Sequence, residues 1–257
     1  LLIFGTGPVT GCPASGSGRN DVAAKGPLSF GMARSEVGGF WGPEFKRTGY
    51  DALIVEGKAE RPVYLWINPE GRVEIRDASH VWDKETKESQ EILLREVGAK
   101  LARVAQIGIG GANRVRFACI VNELNHAAGR GGLGAVMGSK NLKAVVVRGG
   151  KGPEWADPKK LHEMARYLAE NVMNLAAGLH SFGTGHNMLG FNIAGNIPTR
   201  NWQDGPIEGT NRTTAPVMKE QGILIDMEGC YTCAVKCKKL SRVEEPYKVD
   251  PAYGGAE

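Results

Sequence analysis

Two stretches near the amino end, GTGPVTGCPASGSGRNDV (residues 5–22) and KGPLSFGMARSEVGGFWGPEF (residues 25–45), carry glycine or proline every few residues. Each interior glycine weakens a helix and each proline removes a backbone donor, so no long helix survives there. Such a region folds as short strands joined by turns, with a backbone bare enough to approach something bulky. Leu1–Phe4 is a first strand candidate, and Ala52–Glu56 and Pro62–Ile67 are better ones, being rich in β-branched and aromatic residues. Pro69–Gly71 reads as a turn, and the alternation in Val73–Arg76 makes 62–67 and 73–76 a hairpin. A helix is predicted from Lys84 to Val97 on its apolar positions Ile92, Leu93 and Val97, capped by Gly98. Strands follow at Ala102–Ile109, Phe117–Val121 and Lys143–Arg148. The glycine-rich segments IGGAN and AAGRGGLGAVMGSKN read as turns between them.

The pattern changes after Gly149. GGKGPEW is linker-like, and Asp157-Pro158 opens a helix with Asp at the N-cap and Pro at N1. Leu161, Met164, Ala165, Leu168 and Val172 follow helical spacing, and the remainder reads as helix and loop with little strand. The expected fold class is therefore α+β. A β-rich domain over residues 1–150 is followed by the start of a helical domain over 155–257. The chain begins inside an apolar run without Met and ends in YGGAE, so both ends read as cut, the first domain lacking its initial strands. At 42% hydrophobic and 23% charged the composition supports a buried core. No apolar run reaches the ~20 residues of a membrane span. The net charge of +4 is spread without an aromatic-interleaved basic stripe, which argues against a nucleic-acid partner.

Cys230, Cys233 and Cys237 form a C-x2-C-x3-C cluster, and the chain has five cysteines in all. Clustered thiols in an unsecreted, cytoplasmic chain point to a metal or redox chemistry rather than disulfides. The i, i+4 spacing of Cys233 and Cys237 puts them on one face if that turn is helical. Thiolates select zinc or iron–sulfur clusters. A zinc site wants a second pair of ligands close in sequence, which this chain does not offer. The fourth ligand of a [4Fe–4S] cluster often lies far away, and that reading is preferred. The flanking Lys236, Lys238 and Lys239 mark an exposed segment that would attract an acidic electron carrier.

No dinucleotide fingerprint or P-loop is present. The segment GRGGLGAVMGSKN (129–141), with Arg130 and Lys140 beside bare backbone amides, could cradle phosphate oxygens. Several glycine loops, each with one Arg or Lys, suit a large phosphate-bearing cofactor approached from several sides.

The segments FGTGPVTGCPASGSGR, GGFWGPEFKRTGYDALIVEGKAERPVYLWI, VRFACIVNE, AAGRGGLGAVMGSKNLKAVVVRG, IPTRNW and CYTCAVKCKK, in that order along nearly the whole chain, resemble the tungsten-containing aldehyde ferredoxin oxidoreductases. The resemblance implies two β-sheets forming a base beneath a bis-pterin cofactor of tungsten (or molybdenum), with Mg²⁺ joining the pterin phosphates and a [4Fe–4S] cluster close by. It implies oxidation of an aldehyde to a carboxylic acid, electrons leaving through the cluster to ferredoxin, with no membrane involved, and it admits a homodimer. Residue by residue, it makes Cys230, Cys233 and Cys237 cluster ligands and Arg19 an arginine between pterin and cluster. Glu36, Val37 and Gly38 become one pterin and Mg²⁺ loop. His126, Ala127, Gly129 and Arg130 become the second. It places Glu257 near the metal as a catalytic carboxylate. EVGG stands here where the family usually has Asn-Ser-Gly-Gly, and His126 where Arg is common. In IPTRNW, Pro198 and Trp202 read as packing residues and Arg200 and Asn201 as candidates for the cofactor cleft. A relative that reduces an aromatic thioester, and a non-catalytic zinc module, are the alternatives.

Overall fold

The computed structural model describes residues 1–255; Glu257 lies outside them. The elements run β1 (Leu2–Thr6), β2 (Asn20–Lys25), β3 (Met32–Val37), α1 (Trp41–Lys46), β4 (Ala52–Val55), β5 (Val63–Ile67), β6 (Val73–Asp77), α2 (Thr86–Val97), β7 (Arg103–Gln106), α3 (Ile109–Ala112), β8 (Ile120–Asn122), β9 (His126–Ala128), α4 (Leu133–Ser139) and β10 (Leu142–Val147). Then come α5 (Pro158–Glu170), α6 (Val172–Phe182), α7 (Met188–Ile193), α8 (Ala215–Glu220), β11 (Leu224–Glu228) and β12 (Lys238–Ser241). The chain is α+β and divides into two compact units. One comprises Leu1–His162 with Cys230–Thr232, the other Glu163–Gly229 with Cys233–Glu257.

The first unit holds two sheets. The four-stranded one has order β3-β2-β1-β4 and the six-stranded one β6-β5-β10-β7-β8-β9. β5 and β6 form the predicted hairpin, Val63 pairing with Asp77 and Ile67 with Val73. β10 is buried along its whole length, as its LKAVVV run demands of a central strand. Val145 and Val147 enter the core between the sheets with Leu2, Phe4, Val22, Ile67 and Ile120. Ala144 and Val146 pack on the other face with Trp66, Val104 and Leu93 of α2. Trp41 ties α1 across this core. Its indole N–H donates to the Val145 carbonyl at 2.9 Å, and its ring stacks on Phe45 at 5.1 Å. α2 ends where predicted, Gly98 adopting φ 62°.

The glycine segments are only partly turns. Residues 109–112 and 133–139 form α3 and α4, because those glycines serve close packing rather than chain reversal. A Cβ on Gly111 would lie 2.6 Å from Cβ of Ile107, and one on Gly138 would strike the Gly111 carbonyl. β2 and β3, hidden in the glycine-rich stretch, pair in full register from Asn20↔Val37 to Lys25↔Met32.

Lys143 is fully buried. The β10–β5 register slips between Leu142 and Ala144. This bulge re-aims the lysine so that Nζ donates to the Trp82 and Lys84 carbonyls at 3.2 and 2.9 Å. Desolvation lowers its pKa from the ordinary 10.5 to about 8, partly opposed by Asp83. Between those two values the unfolded chain binds more protons than the folded one, so this penalty is full below pH 8 and fades as pH rises. Wild type should therefore gain on Lys143→Met by about 2 kcal/mol between about pH 7 and about pH 9.5, read from denaturant midpoints. A constant gap would show that the ammonium is not desolvated.

At the end of the first unit Asp157 caps α5 as predicted, Lys160 N–H donating to its carboxylate at 2.9 Å. No residue of α5 is buried, and Met164 and Tyr167 are exposed. Trp202 is 65% exposed, which corrects the packing role expected of it. Arg200, Asn201 and Trp202 are three successive left-handed residues, a conformation that turns the chain sharply. β11 and β12 pair antiparallel. Among the described residues no helix is long and apolar enough to cross a membrane.

Candidate cofactor and thiol site

The cysteines sit in the loop joining β11 to β12, not on a helical turn as the i, i+4 spacing suggested. Thr232 and Lys236 adopt left-handed φ of 51° and 49°, which breaks any helix and doubles the loop back. Gly229 closes it: a Cβ there would lie 3.0 Å from the Cys233 carbonyl oxygen. Lys239 is also not the exposed residue expected, being only 2% accessible.

Within the second unit the Cys233–Cys237 part of the loop is fixed from α6. His180 Nδ1 lies 3.2 and 3.1 Å from the carbonyl oxygens of Ala234 and Val235, and as the protonated ring nitrogen it donates to both. Gly183, just past α6, admits the Cys237 carbonyl to 2.5 Å from where a Cβ would stand.

Cys230, Tyr231 and Thr232 belong to the first unit. Tyr231 N–H donates to the Gly39 carbonyl at 3.1 Å. The Thr232 hydroxyl donates to the Cys12 and Ala14 carbonyls at 3.3 and 3.2 Å. The Tyr231 hydroxyl accepts from Arg47 at 2.6 Å, 184 residues away in sequence. A Cβ on Gly38 would stand 2.5 Å from the Cys230 sulfur, and one on Gly18 3.2 Å from Cys230 Cβ. Glycine at 18 and 38 is thus a condition for the thiol to reach the sheet edge.

The same edge collects most of the predicted residues. His126 lies on β9, buried, its Cδ2 3.4 Å from where the Gly38 Cβ would be. Arg130 donates its backbone N–H to Ser35 Oγ at 3.3 Å, which lays the second predicted loop on β3. Ala127, Gly129 and the Arg130 side chain are exposed, as is Arg19, so bare backbone and two guanidinium groups remain open to a ligand. Val37 is buried and holds the strand in the core. Glu36 does not stand as an isolated charge. It opposes Asp21 in register, an arrangement of like charges that would repel. Arg34 spans both, at 2.9 Å from each Asp21 oxygen and 3.2 Å from Glu36. Hydrogen bonding to Asp21 raises the Arg34 pKa further above its ordinary value.

Sequence reading missed Arg34, Tyr231 and the acid–amide group behind the glycines. Glu123 accepts from Phe40 N–H at 3.0 Å, and Asn122 donates to Asn20 Oδ1 and the Gly38 carbonyl, both at 3.1 Å. Tyr231 could have been found, since it sits inside the cysteine spacing; the others have no local signature. Glu257 lies outside the described residues. The thiols are donors of the soft type, and Gly18 and Gly38 let Cys230 lie against the sheet edge, so the donor set fits an iron–sulfur group. No three His, Cys, Asp or Glu side chains among the described residues are gathered tightly enough to form a metal cage.

Fold and site together define an α+β protein in which a glycine-lined sheet edge takes hold of the first thiol of a three-cysteine hairpin loop. The family model "Aldehyde ferredoxin oxidoreductase, N-terminal domain" matches residues 1–149, and that for "domains 2 & 3" matches residues 159–257. The chain belongs to the aldehyde ferredoxin oxidoreductase family. It is 44% identical over 243 residues to the tungsten-containing aldehyde ferredoxin oxidoreductase of Pyrococcus horikoshii, covering 93% of this chain and 40% of that protein. It is 37% identical over 267 residues to the WOR-like subunit of an aliphatic sulfonate oxidoreductase of Pyrococcus furiosus, covering 96% of this chain and 41% of the other. Among solved structures it matches the active-site complex BamBC of benzoyl coenzyme A reductase, bound to 1,5-dienoyl-CoA. The TM-score is 0.78 at 34% identity, over 96% of this chain and 40% of that one. The chain thus spans about 40% of the length of these relatives.

Proposed function

We propose that the whole protein oxidises aldehydes to carboxylic acids at a tungsten (or molybdenum) bis-pterin centre and passes the electrons through a [4Fe–4S] cluster to ferredoxin. The observation that carries this reading is the Cys230 sulfur lying against Gly38, on the edge that also gathers His126 and the Arg130 loop. The bound pterin metal would supply the two-electron redox chemistry. Exposed backbone at Ala127 and Gly129, with the Arg19 and Arg130 side chains, would hold the pterin phosphates and their Mg²⁺. Arg34 would keep the Asp21–Glu36 pair from repelling those phosphates. Cys230, Cys233 and Cys237 would ligate the cluster, with a fourth ligand from outside this chain, and His180 would hold the loop between the last two. Glu257 is proposed as a catalytic carboxylate. The 44% identity to an aldehyde oxidoreductase favours the aldehyde. The likeness to a benzoyl coenzyme A reductase keeps reduction of an aromatic thioester as the second reading.

The test uses the full-length protein. Tungsten or molybdenum together with iron, and dye-linked oxidation from an aldehyde panel, are expected; zinc alone would overturn the reading, and turnover only with an aromatic thioester would select the second. Cys233→Ser should keep the pterin metal, lower the iron content, and reduce transfer to an external acceptor to background.

A further inference from the structure

Beside the thiol segment, on the first unit, lies a cleft of about 400 Å³. Arg47, Arg103 and Arg148 line it together with Phe40, Tyr231 and Leu101. Its one carboxylate, Glu44, is buried and already engaged: it accepts from Arg47 at 3.1 Å, from Arg148, and from Gly149 N–H at 2.9 Å. Two of the guanidinium groups are thereby fixed, and the cleft keeps a net positive charge. Arg103 lies 4.7 Å above the Phe40 ring and Arg47 5.0 Å from the Tyr231 ring, so these cations stand on aromatic faces. On the rim, Leu101 is 59% exposed and left-handed at φ 67°, an apolar side chain presented to solvent at a conformational cost. Tyr, Phe and Arg lining one cleft is a composition enriched at binding interfaces, and the exposed Leu adds apolar area at its rim.

We propose that this cleft is the docking site of the acidic electron-carrier protein, a carboxylate of the carrier entering between Arg103 and Arg148 and its apolar surface meeting Leu101. The inference rests on the electron-transfer reading above and says where the carrier binds. Tyr231 is peptide-bonded to Cys230 and forms the cleft wall, so an electron leaving a group held by Cys230 reaches the docked carrier over a short covalent stretch. One electron passes per encounter: the donor centre is oxidised by one electron, the carrier is reduced by one, and no proton or group moves. Charge complementarity of this kind raises the association rate and weakens with salt.

The experiment measures binding of an oxidised acidic ferredoxin to the full-length protein by calorimetry at low and high salt, alongside dye-linked turnover. Arg103→Glu is expected to weaken binding about tenfold at low salt and to flatten the salt dependence. Leu101→Asp puts a like charge on the rim in a conformation that Asp accepts, and should weaken binding similarly. Dye-linked turnover should be unchanged in both variants. Wild-type affinity retained by both, or no ferredoxin binding to wild type, overturns the proposal. So does an Arg103-dependent site for inorganic phosphate with ferredoxin binding unaffected, which would make the cleft a small-anion site. Binding is read without substrate, so absence of aldehyde turnover would sink the substrate reading and leave this one standing.

Discussion

Glu44→Ala is expected to lower folding stability by about 3 kcal/mol, the lower end of what breaking a buried ion pair costs. Glu44 is 5% exposed and accepts from two guanidinium groups and the Gly149 N–H. Removing it leaves a buried amide without its acceptor and two arginines facing each other. The arginine side chains are 28% and 27% accessible, so water recovers part of the loss, which is why the lower end applies. For a unit of this size that is a fall of roughly 6–12 °C in Tm. Glu44→Gln, which keeps the shape and one acceptor, should lose distinctly less. Equal losses would mean that shape and the remaining acceptor contribute nothing and that the charge alone holds the α1–β10 junction.

Gly38→Ala should have its largest effect on electron transfer rather than on folding. Gly38 does not adopt a positive φ, so alanine meets no backbone penalty there. The added methyl would lie 2.5 Å from the Cys230 sulfur and an ordinary 3.4 Å from the His126 ring. The sulfur must move by about 1 Å, a misplacement that costs on the order of 100-fold in rate where geometry is tuned. On the proposed electron-transfer function, the full-length variant should lose iron and reduce ferredoxin ~100-fold more slowly, with Tm within a few degrees of wild type. A double-mutant cycle with Cys230→Ala isolates the contact: the two substitutions should be non-additive in stability by ~0.5–3 kcal/mol. Strict additivity would show that residues 38 and 230 do not touch.

The strands at 62–67 and 73–76, the helix ending at Gly98, the Asp157 cap and the α+β class were legible because each rests on a few neighbouring residues. α3 and α4 were not, because a glycine placed for close helix contact looks in sequence like a glycine placed for a turn. Only the partner, the Gly111 carbonyl beside Gly138, separates the two cases. β2 and β3 were missed for a related reason: their alternation is interrupted by the glycines that flank them. The cysteine spacing carried the choice of donor, but not the backbone that presents it. The left-handed Thr232 and Lys236 replaced the expected helical turn with a hairpin loop.

What the sequence determined by itself is the chemistry on offer: three soft donors, bare glycine backbone with scattered guanidinium groups, and a strand-forming first part followed by a helix-forming second. Those follow from residue type and short spacing. Tertiary structure alone decided that Cys230 lies against Gly38 and Tyr231 bonds Arg47, 184 residues apart, and that Arg34 offsets the acidic pair beside the predicted loop. Contacts at that separation are set by how two sheets share one core and where a loop is pinned to their edge, and no local pattern encodes them.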